Sequence, residues 1–179
     1  METSQVILVD EKDRPVGVAK KMEAHQKGLL HRAFSVFIFN SKGEMLLQQR
    51  ALHKYHSGGL WTNACCSHPD PGEETSTAVK RRLQEEMGFE VPVEKVFDFM
   101  YNIELDHGLT EHEFDHVFAG EYDGHVDPNK NEVMDFCYAD MQEIRNSLQS
   151  HPEKYTAWFH LAFPGIEEWW RQHFKVRVK

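Results

Sequence analysis

The sequence predicts an α/β (α+β) sandwich in which helices flank a mixed β-sheet. Two observations lead to this fold class. Apolar strands separated by turns surround one amphipathic helix, and an aromatic-rich helical tail follows the last strand. The 179 residues, 40% of them hydrophobic, suffice for one sizeable core. No repeat, low-complexity stretch or linker interrupts the chain, so we expect a single domain over residues 1–179.

The N-terminal third is predicted to form two strand pairs. Residues 6–9 and 15–19 form an N-terminal hairpin. Residues 33–39 and 44–50 form a stronger hairpin around the turn sequence Asn-Ser-Lys-Gly. The intervening residues 20–25 are predicted as a loop or a short helix.

Two adjacent cysteines and a histidine lie in the stretch 60–68, which has no helical period and is predicted to be a short extended segment. Side chains two apart in a strand share a face, so Cys66 and His68 point one way, and Cys65 and Ser67 point the other. Neighbouring cysteines form a disulfide only with strain, so we expect free thiols and a reducing compartment. A buried cysteine pair in a core strand is the alternative interpretation.

The regularity of this segment has a structural consequence. Trp61 and Asn63 lie on the opposite alternation from Cys66 if the strand is regular. A pocket that either of them lines together with Cys66 therefore requires a bulge or a turn near Ala64.

An amphipathic helix is predicted directly after the cysteine stretch. Residues 73–77 are typical of a helix start with acids in the first turn. Val79, Leu83 and Met87 recur four residues apart and form one apolar face. Gly88 suits the position just after the helix end.

Extended segments are predicted to follow this helix. Residues 89–103 are extended, with Pro92 marking an edge or a bulge. Residues 111–122 alternate between two faces, which places the carboxylates of Glu111 and Glu113 on the same side.

The last part of the chain is predicted to be helical. A capping-box pattern at Asp140 begins a helix that carries Ile144. The tail, residues 152–174, is predicted as two helices broken at Pro164-Gly165.

The chain is acidic, and its net charge of −9 argues against nucleic acid or an acidic membrane as the main partner. No targeting pattern precedes the first strand, and no apolar run approaches the roughly 20 residues of a membrane span. We therefore expect a cytoplasmic protein, and a monomer because no interface stripe is evident. The twelve histidines favour metal binding.

Four basic residues beside the motif segments predict a pocket for a diphosphate, although each alone is compatible with a solvated surface charge. They are Lys21, Arg50, Lys54 and Arg82.

Residues 81–89 resemble the core of the Nudix signature, G-x5-E-x7-R-E-U-x-E-E-x-G-U with U apolar, and Glu73 takes the upstream acid position. Two positions depart from it. Ser67 stands where the first glycine belongs, and Arg82 stands where the first helix glutamate belongs. Loss of one acid weakens a site for several Mg²⁺ ions, and a basic residue instead attracts an anionic substrate. A solvated acidic helix face is the alternative interpretation.

Nearly the whole chain resembles the type I isopentenyl diphosphate isomerase family. The resemblance is carried by the cysteine block from Trp61 to Pro69, by the degenerate Nudix helix, and by Glu111-His112-Glu113 following Tyr101. It implies a Nudix-like fold. It also implies interconversion of isopentenyl and dimethylallyl diphosphate through a tertiary carbocation, in isoprenoid biosynthesis.

The resemblance also implies the roles of individual residues. The implied metal ligands are His25, His31, His68, Glu111 and Glu113, which suit an octahedral Mn²⁺ or Mg²⁺, with Zn²⁺ as a further option. The implied catalytic residues are Cys66, Glu113, Tyr101 and, as an aromatic lid, Trp158. A further Mg²⁺, bound with the diphosphate, involves Glu86.

Two other functions are compatible with parts of the sequence. A Nudix hydrolase of a nucleoside diphosphate derivative fits the helix, but Arg82 and the Cys66/His68 pair argue against it. An inert Nudix fold that only binds metal or a partner ranks last, because mere binding does not need a protonatable cysteine beside a histidine-rich site.

Overall fold

A mixed β-sheet runs through the computed structural model, which describes residues 4–175. Within these residues the strands are β1 (Gln5–Val9), β2 (Pro15–Lys20), β3 (His31–Phe39), β4 (Met45–Arg50), β5 (Trp61–Thr62), β6 (Cys65–Ser67), β7 (Glu94–Glu104), β8 (Thr110–Glu121) and β9 (Val133–Ala139). The helices are α1 (Lys21–Lys27), α2 (Thr75–Met87), α3 (Met141–Ser150) and α4 (Ala157–Lys175). None of these helices combines the length and the apolar content that crossing a membrane needs.

Alternating residues of β3 pack into two separate hydrophobic cores, because successive side chains of a strand point to opposite faces. Phe34, Val36 and Ile38 belong to the core that contains the apolar face of α2. Phe37 and Phe39 belong to the core formed with α3 and α4. Helices therefore cover both faces of the sheet, and the predicted sandwich is confirmed.

The pairing of strands around β3 brings polar residues together. β8 runs parallel to β3 and places Glu113 opposite His31. β6 runs antiparallel to β3 and places Cys66 opposite Ser35. β7 runs antiparallel to β8 and places Tyr101 opposite Glu113. β8 and β6 lie along the two edges of β3. Glu113 and Cys66 therefore approach each other from opposite sides of β3.

The stretch 60–68 is not one strand, because the chain changes its partner strand within it. β5 pairs with β4, β6 pairs with β3, and Asn63 and Ala64 lie between them. β3 and β4 pair directly only at Phe39 and Met45, so β5 and β6 fill the space where these strands diverge. The break occurs at the expected place near Ala64, and Asn63 lies against Cys66.

The acids before α2 lie outside its first turn, contrary to the prediction. The helix begins at Thr75, and Glu74 precedes it in an extended conformation. Glu73 instead accepts hydrogen bonds of 2.8 and 2.9 Å from Arg81, which tie the loop to the helix. The predicted end at Gly88 is confirmed, with a φ of 77° that glycine adopts readily.

The strands also differ from the prediction in two ways. β7 begins only at Glu94, after Pro92, so residues 89–93 are not part of the sheet. β9 was not predicted at all. It pairs with β4, and most of its residues are exposed or half-buried.

A single helix, α4, replaces the two helices predicted for the tail. Pro164 lies inside α4 on its exposed side. Phe163 and Ile166, on either side of the proline, are buried in the same core, and this packing outweighs the helix-breaking tendency of proline. Gly165 lies against the ring of Phe97, where a Cβ atom would be only 2.7 Å from the ring.

Candidate active site

Three imidazoles and two carboxylates converge where α1, β3, β6 and β8 meet. They are the five predicted metal ligands: His25, His31, His68, Glu111 and Glu113. His25 Nε2 lies 2.9 Å from Glu111 Oε1, and His68 Nε2 lies 3.0 Å from Glu113 Oε2. His31 Nε2 lies 3.2 Å from His68 Nε2 and 3.4 Å from one oxygen of each carboxylate.

The spacing of these donor atoms suits a divalent cation. Adjacent ligands of an octahedral ion with bonds of about 2.1 Å lie about 3.0 Å apart. His25 Nε2 and Glu111 Oε1 are buried, and neither forms a hydrogen bond although they are 2.9 Å apart. Buried polar atoms without partners are rare, and a shared cation accounts for both. The donor set therefore fits a divalent metal ion.

The backbone orients two of the imidazoles toward the centre of the cluster. His25 Nδ1 lies 2.7 Å from the carbonyl of Lys21, and His31 Nδ1 lies 2.9 Å from the carbonyl of Leu29. A carbonyl only accepts, so each Nδ1 carries the hydrogen and each Nε2 keeps its lone pair when the ring is neutral. Metal-ligating histidines are commonly held in this way.

The two carboxylates dominate the electrostatics of the cluster. Burial opposes the charged form of His31, but the nearby carboxylates of Glu111 and Glu113 outweigh burial and raise the pKa of His31 to about 10. Burial also opposes ionisation of Glu111, but the imidazoles around it, His25 first, hold the pKa of its carboxyl well below its usual range. Burial lowers the pKa of His68 to about 4. The negative potential that favours the protonated form of His31 also favours a bound cation.

Cys66 lies on the neighbouring strand β6. Its Sγ is 3.2 Å from Asn63 Oδ1 and 3.7 Å from Ser35 Oγ. Burial and the nearby carboxyl of Asp115 raise its pKa to about 12, so Cys66 is a thiol at neutral pH. Cys65 is fully buried in the core that contains α2, as the strand alternation predicts.

One small cavity, of about 30 Å³, is lined by Cys66 and by all the other predicted catalytic residues. The hydroxyl of Tyr101 donates to Glu113 Oε1, and burial together with Glu113 raises the pKa of Tyr101 well above its usual range. Trp158 is 4% exposed, and its Nε1 has no hydrogen-bond partner. The guanidinium of Arg50 lies 5.3 Å from the centre of the indole.

A larger polar pocket of about 420 Å³ adjoins this cavity, and the two share Tyr55, Ser67 and His68 in their walls. Three of the four predicted substrate-binding residues line the larger pocket: Lys21, Lys54 and Arg82. Arg50 lines the small cavity instead, where its guanidinium donates to the carbonyl of His56 at 3.1 Å.

Two carboxylates accompany the basic residues of the polar pocket. Glu86, predicted to share a Mg²⁺ with the diphosphate, is 5% exposed and lines neither chamber. It accepts hydrogen bonds from Arg82 at 2.7 Å and from Gln48 at 3.2 Å. Glu132, which was not predicted, lines the pocket and lies 2.5 Å from Lys54 Nζ.

Two further residues of the site were missed. His56 Nε2 lies 3.3 Å from Glu111 Oε2, but its loop has no periodic pattern that signals this position. Asp115 is buried and accepts a hydrogen bond of 2.7 Å from Ser35 Oγ. Burial and the neighbouring Glu113 raise the pKa of Asp115 well above its usual range. Its place two residues after Glu113 on an alternating strand was the available signal.

Comparison with known proteins connects this chain to a family. The family model of the NUDIX domain matches residues 29–159. An isopentenyl-diphosphate Delta-isomerase of Pectobacterium atrosepticum is 51% identical over 175 residues, which cover 98% of this chain and 97% of that protein. The isopentenyl-diphosphate Delta-isomerase 2 of Aromatoleum aromaticum is 52% identical over 154 residues, covering 86% and 82%. The chain belongs to the isopentenyl-diphosphate Delta-isomerase family.

Solved structures similar to this member of the isomerase family are more distant in sequence. A Deinococcus radiodurans protein matches with a TM-score of 0.69 at 17% identity, covering 83% of this chain and 90% of that chain. A MutT protein of Methanosarcina mazei matches with a TM-score of 0.63 at 21% identity, covering 80% and 95%. At these identities the likeness concerns the fold alone, which is the Nudix fold.

Proposed function

We propose that this protein interconverts isopentenyl diphosphate and dimethylallyl diphosphate by adding and removing protons through a tertiary carbocation. Relatives of that name, similar over nearly the full chain, support this activity. One observation carries the proposal at the level of residues. Cys66 and the Tyr101–Glu113 pair line the same small cavity and reach it from opposite edges of β3.

The two adjoining chambers suit the two halves of such a substrate. The diphosphate occupies the polar pocket and binds Lys21, Lys54 and Arg82. Glu86, which accepts a hydrogen bond from Arg82, would hold a Mg²⁺ together with the diphosphate when that ion is bound. The prenyl group has no polar atom for the protein to bind, so the bound diphosphate and the walls of the small cavity fix its position. Arg50 lies at the cavity end, beside Trp158.

The reaction moves a double bond by one carbon and needs no oxidant or co-reactant. An acid adds a proton to the terminal methylene carbon of isopentenyl diphosphate, which leaves a cation at the tertiary carbon. A base removes a proton from the carbon nearer the diphosphate, and the released electron pair forms the new double bond. Cys66 and the Tyr101–Glu113 pair take these two roles and exchange them in the reverse direction.

We propose that His25, His31, His68, Glu111 and Glu113 hold a divalent cation, Mn²⁺, Mg²⁺ or Zn²⁺. When bound, the cation increases the acidity of a neighbouring donor. The residues themselves have a further effect. Because Glu113 belongs both to this set and to the pair with Tyr101, the cluster fixes the carboxylate that faces the cavity.

Trp158 is proposed to cover the reacting carbon atoms. An indole face stabilises a desolvated cation by about 2 kcal/mol or more, which exceeds one factor of ten in rate. Its burial also keeps water out of the cavity, and water would otherwise capture the carbocation.

Incubation with isopentenyl diphosphate in D₂O, with Mg²⁺ and Mn²⁺ present, tests the activity. We expect conversion to dimethylallyl diphosphate and deuterium in both isomers. Metal-loaded protein that gives neither conversion nor exchange would rule the activity out. Release of a nucleoside monophosphate from a nucleoside diphosphate derivative would identify a hydrolase instead.

We further propose that residues 1–179 form one domain that acts as a monomer in the cytoplasm. The single continuous sheet and its two cores support one domain. Light scattering coupled to size-exclusion chromatography tests the monomer, and a dimeric mass would contradict it.

A further inference from the structure

Asn63 is completely buried, and its side chain is anchored at both ends. Nδ2 donates to the carbonyls of Val36 at 2.9 Å and Cys65 at 3.0 Å. Both acceptors are backbone carbonyls, so the amide cannot be reversed, and Oδ1 must face the other way. There Oδ1 accepts hydrogen bonds from Cys66 Sγ at 3.2 Å and from Thr62 Oγ1 at 2.9 Å.

The hydroxyl of Thr62 is itself held by a chain of donors that begins in α4. The backbone N–H of Phe159 lies 3.4 Å from Thr156 Oγ1 and donates to it. Thr156 Oγ1 donates to Thr62 Oγ1 at 2.9 Å, which leaves the hydrogen of Thr62 for Asn63. All hydrogen bonds in this chain therefore run toward Asn63 Oδ1, from the helix that also carries Trp158.

Ser35 is the second polar contact of the Cys66 sulfur, but a weaker one. Its Oγ lies 3.7 Å from Sγ, and it donates its hydrogen to Asp115 Oδ2 at 2.7 Å. At 3.2 Å from Sγ, Asn63 Oδ1 is the nearer of the two acceptors of the thiol. A cysteine side chain has three staggered positions about one bond, so one fixed acceptor is enough to select one of them.

We propose that Asn63 is a positioning residue for Cys66. It holds the sulfur at the wall of the small cavity with the S–H bond directed at Oδ1, and Thr62 and Thr156 keep that oxygen in place. The role rests on the proposed isomerase function, in which Sγ must stay within reach of one substrate carbon. The same chain of hydrogen bonds joins the cysteine to the helix that carries Trp158.

Turnover tests this role. Asn63→Ala lowers kcat about tenfold or more, since a lost hydrogen bond corresponds to about one decade in rate. KM stays within about twofold, because Asn63 does not line the polar pocket. Asn63 also connects β3 and β6, so a second pair of variants separates positioning from folding. Thr62→Val keeps the shape of the side chain but removes its hydroxyl, and we expect it to lower kcat. Thr62→Ser keeps the hydroxyl, and we expect it to retain the wild-type kcat.

An infrared measurement tests the hydrogen bond without turnover. Subtracting the spectrum of Cys66→Ser isolates the S–H stretching band of Cys66, which lies at lower wavenumber when the thiol donates a hydrogen bond. We expect Asn63→Ala to move the band to higher wavenumber. Thr62→Val changes the position of this band, whereas Thr62→Ser leaves the band at its wild-type position.

The outcomes separate this role from the activity itself. An unmoved band in folded Asn63→Ala overturns the role of Asn63, and so does Thr62→Val with the kcat of the wild type. A wild-type protein without isomerase turnover contradicts the proposed function instead, and the infrared band then still decides whether Asn63 positions the thiol.

Discussion

Arg82 Nε donates a hydrogen bond of 3.0 Å to Ser67 Oγ. These residues occupy the two positions at which the chain departs from the Nudix signature. The same guanidinium binds Glu85 at 2.6 Å and Glu86 at 2.7 Å, so Arg82 is fixed in the wall of the polar pocket. Together the two departures place a cation on a helix face that carries acids in the Nudix signature.

Arg82→Glu, which restores the signature acid, should weaken binding of the diphosphate. The variant loses a cation of the pocket and places a further carboxylate beside Glu85 and Glu86. A hydrogen bond to a charged group contributes about 1.5–3 kcal/mol, so we expect KM for isopentenyl diphosphate to rise roughly 10- to 100-fold. Lys80→Glu makes the same change of charge at an exposed position of α2 and serves as the control. Equal KM values for the two variants would exclude Arg82 from the diphosphate site.

Metal binding should stabilise the protein through the His/Glu cluster. A cation present at about 100 times its Kd raises the free energy of unfolding by about 2.7 kcal/mol. Calorimetry of EDTA-treated protein, before and after Mn²⁺, Mg²⁺ or Zn²⁺ is added, measures the rise in Tm. His25→Ala should reduce this rise, and the exposed His125→Ala should not. The same rise in His25→Ala as in the wild type would place the metal elsewhere.

The stability of the metal-free protein should depend on pH in two opposite ways. The pKa of His31 is raised to about 10 in the folded state. Its contribution to the free energy of unfolding is therefore full below pH 6.5 and is lost as pH rises toward 10. The pKa of His68 is lowered to about 4, so stability falls as pH drops from 6.5 toward 4. These two dependences are the alkaline limb and the acid limb of the stability profile. Along each limb the free energy of unfolding changes by at most about 1.4 kcal/mol per pH unit.

Urea unfolding in EDTA measures both limbs by difference from the wild type. His68→Gln should remove the acid limb, and His31→Gln should remove the alkaline limb. A wild-type-minus-variant difference that does not change with pH would contradict the assignment for that histidine.

Pro164→Ala should stabilise the protein, because α4 is continuous through this exposed position. Proline inside a helix costs about 3 kcal/mol relative to alanine, and we expect a gain of about 1–3 kcal/mol in urea unfolding. Gln172→Ala, at another exposed position of α4, is the control and should change little. Destabilisation by Pro164→Ala would instead favour the two separate helices, with a break at Pro164-Gly165, that the sequence predicts.

Much of the fold follows from patterns that are local in the chain. The apolar face of α2 and the alternation of β3 were predictable because burial imposes a period on the residues. β9 has no such period, since most of its side chains are not buried, and its place beside β4 depends on tertiary pairing. The continuity of α4 through Pro164 depends on packing of Phe163 and Ile166, which overrides local propensity.

The same distinction between local sequence patterns and tertiary pairing applies to the site. Alternation brought Glu111 and Glu113 together and separated Cys65 from Cys66. His25 and His31 could not be chosen from twelve histidines without the family resemblance, because their approach depends on the pairing of distant segments. The orientation of Asn63 toward Cys66 was hidden as well, since it arises from the change of partner strand between β5 and β6.

The central claim is that the thiol of Cys66 takes part in proton transfer at the small cavity. Deuterium incorporation from D₂O into isopentenyl and dimethylallyl diphosphate, compared between Cys66→Ser and Cys65→Ser, tests it most directly. We predict that Cys65→Ser, altered only in the core, exchanges and converts like the wild type per folded molecule, while Cys66→Ser does neither. Exchange by Cys66→Ser at the wild-type rate would contradict the account.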